Sequence, residues 1–147
     1  MDNDFGESKR LAEKHLTQYH LQTNSPLYIV RLTNTFGPYS KPNTHSVVAT
    51  FCYNIAHDLD ISIPDPNKVI TLAYVDDVIS SIIEIIDEKE IHNLKEVEPC
   101  IFTFTKTHTL TLSKLADTLK SFKDKNTATN SFDIFKKKLH ATYMSYI

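Results

Sequence analysis

The chain has 147 residues, the usual length of one domain and enough to bury a core, with 41% hydrophobic and 23% charged residues. Its formal charge of −2 gives no electrostatic ground for a nucleic-acid or membrane partner. No apolar run approaches the ~20 residues of a membrane span, and the acidic start MDND does not read as a secretory signal. The two cysteines, Cys52 and Cys100, lie far apart in no metal-like spacing, which fits a reduced cytoplasmic setting. There are only two glycines, Gly6 and Gly37, so these residues hold no Gly-rich turn of the kind that cradles a dinucleotide pyrophosphate.

Asp4 and Glu7 are spaced as a capping box and predict a helix from near Phe5, with Leu11, Ala12, His15, Leu16 and Tyr19 at helical spacing. LYIVRL (27–32) reads as a buried strand of a parallel sheet. TNTFGPYSKPN (33–43) reads as a loop with turn chemistry at Gly37-Pro38 and Pro42-Asn43. Residues 46–57 predict a helix with Val47, Val48, Phe51, Ile55 and Ala56 on one face. DISI (60–63) alternates as a short strand, and PDPN (64–67) turns the chain into a further strand, VITLAYV (69–75). Asp76 or Asp77 is expected to cap a helix carrying Val78, Ile79, Ile82, Ile83 and Ile86.

A charged linker is expected over 87–98 and a strand over CIFTFTK (100–106). Thr111 is placed to cap a helix over 112–122, with Leu112, Leu115, Leu119 and Phe122 inward. The stretch 123–131 is polar and loop-like, and a last amphipathic helix carries Phe132, Phe135 and Leu139. The class is mixed α/β, built like the later part of a larger fold, because the strand at 27–32 finds no other strand until residue 60.

The stretch FGESK (5–9) carries the most suggestive chemistry. Positions i and i+4 share a helix face, so an ammonium four residues after a phenol would favour the phenolate and tune it as a proton donor and acceptor. Here the lysine, Lys9, is present, but Phe5 has no hydroxyl. Other groupings have plainer readings. Asp76 and Asp77 are adjacent and point apart, so they do not form a carboxylate pair. The seven histidines show no HxxxH or HExxH spacing, and no metal site is expected. Asp58, Asp60 and Asp65 read as a polar turn and not a calcium loop, and Lys136-Lys137-Lys138 reads as a solvated helix face. Arg31 at a strand end is open to two readings, a salt-bridged structural residue or part of a substrate segment.

Taken in order, YIVRLTNTFGP, KPN, SVVATFCYNIA and ITLAYVDDV resemble the extended short-chain dehydrogenase/reductase family, the nucleotide-sugar epimerases, dehydratases and reductases. That family follows its YxxxK helix with a strand ending in RxxNxxGP, matched by Arg31, Asn34, Gly37 and Pro38. It later carries YVDDV, matched by residues 74–78. The runs KPNTHSVVATFCYNIA and LHATYMSYI narrow the resemblance to its capsule-polysaccharide branch, in which a cupin-type epimerase domain follows the reductase domain.

The resemblance implies the C-terminal part of a Rossmann-type fold with the smaller substrate-binding α/β region. Residues 1–45 would end the Rossmann-type domain, and 46–147 would form the substrate-binding region and C-terminal helices. The Gly-rich cofactor half would precede Met1, and the cupin domain would follow Ile147. Lys9 matches the lysine that supports the catalytic tyrosine and binds the nicotinamide ribose, and Phe5 stands at the tyrosine position. Thr33 matches a position close to the nicotinamide of NAD(P), and Asn34 one that contacts the nucleotide-sugar, a UDP-sugar. Asn43 and Ser46 match the start of the substrate lid.

The resemblance also implies an NAD(P)-dependent nucleotide-sugar reductase or epimerase of capsular or surface polysaccharide biosynthesis. These residues would supply a fragment of it that is inactive alone and binds no NAD(P) alone. The alternative is a non-catalytic nucleotide-sugar-binding module that complements a separate N-terminal half. A homodimer and a pairing with that half are the assemblies left open. A third reading, a truncated gene product with one buried strand edge open to water, predicts marginal stability.

Overall fold

The computed structural model describes residues 4–123 and 133–147. In chain order the elements are α1 (Asp4–Thr23), β1 (Ile29–Arg31), β2 (Asn34–Phe36), α2 (Val47–Ala56), β3 (Val69–Tyr74), α3 (Val75–Ile86), β4 (Leu94–Glu98), β5 (Ile101–Phe104), β6 (Thr107–Thr111), α4 (Leu112–Lys123) and α5 (Ile134–Met144). They fall into two units. One comprises the chain up to Arg31 together with Leu94–Thr103, and the other comprises Leu32–Asn93 and Phe104–Ile147. The boundary expected between residues 45 and 46 lies inside the second unit. Phe132 and the stretch 124–131 lie outside the described residues.

In the first unit, α1 carries Asp4 and Glu7 in its first turn, where carboxylates suit the positive end of the helix dipole. None of its described residues is buried, and Leu11, Leu16 and Tyr19 are exposed. The three-stranded sheet has the order β1-β5-β4. β1 runs parallel to β5 with Ile29 opposite Ile101 and Arg31 opposite Thr103, the pairing expected of the run 27–32. It is a marginal strand and not a buried one, since Tyr28 and Leu32 are exposed and Ile29 and Val30 half-buried. Tyr28 stacks on Phe102 at 5.5 Å. The charged linker expected over 87–98 instead contains β4. Its sequence LKEVE is mostly exposed at the sheet's margin, where charged side chains suit an unpaired edge.

The second unit has a sheet of order β2-β3-β6. β2 is parallel to β3, with Phe36 opposite Tyr74, and β3 is antiparallel to β6, with Ile70 opposite Leu110. Two expectations are corrected. The stretch 33–43 is not all loop, because Asn34–Phe36 pairs with β3, a strand too short to announce itself by alternation. DISI forms no strand. The Asp60 carbonyl accepts from Asn54 Nδ2 at 2.9 Å, and Ile61 and Ile63 pack part-buried against the core.

That core is filled by Phe36, Phe51, Leu72, Leu115, Leu119 and Leu139 with their neighbours, from β2, β3, α2, α4 and α5. The faces expected of α2 and α4 are the buried ones, with Val48, Phe51 and Ile55 on α2 and Leu112, Leu115 and Leu119 on α4. Thr111 Oγ1 accepts the Lys114 N–H at 3.2 Å, the cap expected for α4. On α3, Val78 is buried while Ile79, Ile82, Ile83 and Ile86 are exposed.

Neither aspartate caps α3. The cap position is Tyr74, which makes no side-chain capping bond. Asp77 instead receives the ammoniums of Lys106, at 3.0 Å, and of Lys138, tying α3 to the approach of β6 and to α5. Lys138, thought solvated, is 14% exposed and lies 5.1 Å from the centre of the Tyr74 ring. Burial raises the Asp77 pKa, but hydrogen bonds from Lys138 and Lys106 outweigh it and hold the carboxyl below its usual value.

A carboxyl depressed in the folded state adds stability above its unfolded pKa, and that stability drains away as pH falls through the folded one. Asp77→Asn leaves the largely covered Lys138 ammonium without its counter-charge and is expected to lower stability by about 3 kcal/mol at neutral pH. Denaturant melts at a series of pH values should show the gap to wild type closing below the ordinary carboxylate range.

Gly37 closes β2 and is buried. A Cβ there would overlap Val75 Cγ1 and come 3.1 Å from Val75 Cβ. Valine is stiff at χ1 and does not swing aside freely. Gly37→Ala should therefore destabilise by about 1–3 kcal/mol, and Val75→Ala in the same chain should return much of the loss, read as thermal midpoints of the two variants.

Candidate functional site

Helix α1 sets Lys9 one turn after Phe5, and its Nζ lies 5.2 Å from the centre of the phenyl ring. The i, i+4 spacing thus forms the expected pair, held as an ammonium against an aromatic ring. A phenyl ring offers the ammonium a face but has no proton to give or take. Arg31, on β1, resolves toward the structural reading. Its guanidinium grips Glu13 through Nε at 3.1 Å and Nη2 at 2.8 Å, and reaches Glu98 at 3.3 Å through Nη1. The hydrogen bond from Arg31 holds the Glu13 carboxyl below its usual pKa.

In the second unit, Asn34 opens β2 opposite Leu72 with an exposed side chain. Thr33, just before it, has an enclosed Oγ1 with no hydrogen-bond partner among the described residues. An enclosed hydroxyl without a partner is disfavoured by about 1–3 kcal/mol, so its position asks for an explanation.

The loop beyond Gly37 is held by the C-terminal residues. Tyr146 Oη donates to the Ser40 carbonyl at 2.6 Å, and the Tyr39 N–H donates to Ser145 Oγ at 3.2 Å. Asn43 takes a left-handed φ of 56°, a conformation asparagine tolerates, and its N–H donates to Thr50 Oγ1 at 3.0 Å. Thr50 Oγ1 in turn donates to the Ser46 carbonyl. Ser46 Oγ accepts the Ala49 N–H at 3.2 Å and caps α2. Asn43 and Ser46 therefore meet around Thr50. Ser46 has a structural task whatever else it contacts.

The residues present do not fit a whole dinucleotide. A pyrophosphate needs glycine so that backbone N–H groups approach it closely. Gly6 lies within α1, and the space beside Gly37 is taken by Val75. Among the described residues no group of three or more His, Cys, Asp or Glu could hold a metal ion, and no helix is long and apolar enough to cross a membrane.

A cleft of about 390 Å³ in the second unit is lined by His108, Phe135, Lys114 and Lys136 among others, with His108 stacked on Phe135 at 4.3 Å. No residue singled out from the sequence as a catalytic or ligand-contacting candidate lines it. The cleft and the Asp77–Lys138 pair join residues dozens of positions apart, for which a single sequence carries no local signal.

The sequence of the NAD dependent epimerase/dehydratase family matches residues 2–97, and the chain belongs to that family. It is 34% identical, over its whole length, to the UDP-2-acetamido-2,6-beta-L-arabino-hexul-4-ose reductase of Pseudomonas aeruginosa, covering 39% of that protein. It superposes on the capsular polysaccharide assembling protein CapF of Staphylococcus aureus with a TM-score of 0.86 and 35% identity, covering 100% of this chain and 40% of that one. The UDP-glucose 4-epimerase of Thermotoga maritima, solved with UDP-glucose, is similar at a TM-score of 0.75. It covers 96% of this chain and 52% of its own, and at 16% identity it shows the fold alone. The chain thus spans about two fifths of the length of the reductase and of CapF.

Ser46→Ala removes the α2 cap and should lower stability by about 1 kcal/mol, whereas Ser46→Asp should retain most of it, as thermal melts of the two variants will show.

Proposed function

We propose that these residues form the substrate-binding part of a nucleotide-sugar reductase or epimerase of capsular or surface polysaccharide synthesis, with a UDP-sugar as the ligand. The observation that carries the reading is the junction of Thr33 and Asn34. The exposed amide of Asn34 opens the strand that leads into Gly37-Pro38, directly after Thr33. Identity of 34–35% to a UDP-sugar reductase and to CapF supports it. In this reading Asn34 contacts the nucleotide-sugar, Asn43 and Ser46 begin the lid, and Thr33 is the second unit's residue nearest a nicotinamide cofactor.

The 147 residues by themselves are expected to lack reductase turnover. Loss of a positioned general acid, as with Phe5 in the tyrosine position, typically slows a reaction by ~10²–10⁴. The lack of a pyrophosphate cradle is more severe, because it removes the hydride source, and no hydride step is assigned to these residues. A second reading is favoured by Lys9 being kept beside a ring that cannot ionise. It is a binding module that complements a separately supplied cofactor half, as a hetero-complex or within a homodimer.

Calorimetry with UDP-sugars tests the proposal. Saturable binding is expected, weakened about tenfold by Asn34→Ala, the loss of one or two hydrogen bonds. Silence toward every UDP-sugar tried would overturn it. In a parallel assay with NADPH and a keto nucleotide-sugar no product should form, and turnover by the purified chain would refute the inactivity.

A further inference from the structure

β4 and β5 are joined by a two-residue turn, Pro99 and Cys100. Proline followed by a residue at φ 63° is the order of a type II turn, whose second central position is ordinarily glycine. A cysteine there carries a Cβ in a region L-residues avoid, a strain often found where a side chain has a task. Its backbone is pinned on both sides. The Cys100 N–H donates to Glu96 Oε1 at 3.1 Å, and its carbonyl accepts the Ile29 N–H at 2.8 Å.

So held, the half-buried side chain places Sγ 3.8 Å from His20 Nε2, in the last turn of α1. The other imidazole nitrogen, Nδ1, lies 2.6 Å from the Ser25 carbonyl oxygen. A carbonyl only accepts, so Nδ1 carries the hydrogen and Nε2 offers its lone pair to the thiol. Thiol, base and a third group orienting the base stand together, the arrangement that activates a sulfur nucleophile. All three lie within the first unit, and none belongs to the site described above.

We propose that Cys100 is a base-assisted nucleophilic thiol and a site of covalent modification by hydroperoxides. As Sγ attacks hydrogen peroxide, its proton passes to His20 Nε2, an S–O bond forms and the O–O bond breaks. The departing hydroxide takes the imidazolium proton and leaves as water. Sulfur is oxidised to the sulfenic acid, and the peroxide is reduced by the same two electrons. The chain's other thiol, Cys52, is fully buried in the core of the second unit and protonated, its pKa pushed up to about 12 by burial. It offers no accessible thiolate to resolve the product, so the sulfenic acid stays open to a trapping reagent.

The test uses the full chain at neutral pH, with iodoacetamide as the probe of nucleophilicity and hydrogen peroxide followed by dimedone as the probe of oxidation, each read by peptide mass spectrometry. Cys100 should alkylate about tenfold or more faster than glutathione, less than the ~10²–10⁴ of a well-placed general base because the pair is partly exposed. His20→Gln should bring that rate down to glutathione's level while the circular dichroism spectrum is kept. The dimedone adduct should appear on Cys100 and be absent from the Cys100→Ser chain. A wild-type rate no faster than glutathione's overturns the proposal and needs no variant. So does a rate unchanged in a folded His20→Gln chain, or the absence of the adduct.

Discussion

Val75 Cγ1 occupies the place where a side chain on residue 37 would begin. This contact lets β2 end directly against the start of α3, and much of the second unit's arrangement depends on it. Phe36, one residue earlier, can then lie in the core, 5.3 Å from the Tyr74 ring and 5.8 Å from that of Phe135. Tyr74 in turn lies under the Lys138 ammonium, which is drawn to Asp77 at the head of the same helix. A glycine, two aromatic rings and one ion pair thus join the short parallel strand, α3 and α5. The Gly37-Pro38 turn is in this view a packing device. Its closeness to the candidate ligand residues follows from where β2 ends.

The elements legible in the sequence are those whose own residues carry the pattern. VITLAYV is apolar enough to be read as an interior strand, LYIVRL shows itself as a strand but not its place at a sheet margin, and the leucines of α4 recur at the helical period. The elements missed are defined by their partners. β2 has three residues, β4 is charged because it lies at a margin, and β6 is a run dominated by threonines that becomes a strand by pairing with β3. DISI shows the converse, alternation without a neighbour to pair with. Asp77 looked like a helix cap because its partners, Lys106 and Lys138, lie 29 and 61 residues away.

The candidate site was legible to a similar extent. Phe5 and Lys9 meet because a helix brings i and i+4 together, which a sequence states outright. Arg31 sits in a motif that suggested a ligand contact, yet Glu13 and Glu98 occupy its guanidinium. The enclosure of Thr33 Oγ1 could not be seen before the strand was placed. The residues that α1 brings to the β4–β5 turn, His20 and Cys100, are 80 positions apart, and neither stands in a motif.

The Phe5–Lys9 pair separates two kinds of interaction that an aromatic ring can offer an ammonium. The attraction of an ammonium for a ring face depends on the π-system, which phenylalanine keeps. Proton transfer depends on the hydroxyl, which it lacks. The ring can therefore hold the lysine in place without a hydroxyl. The contacts proposed for a UDP-sugar draw on other groups, an exposed amide on β2 and the loop that the C-terminal residues hold in place. Nothing in those groups requires Phe5 to ionise. The ligand contacts proposed for the second unit therefore call for no proton transfer, and an affinity measurement tests them more directly than a turnover measurement.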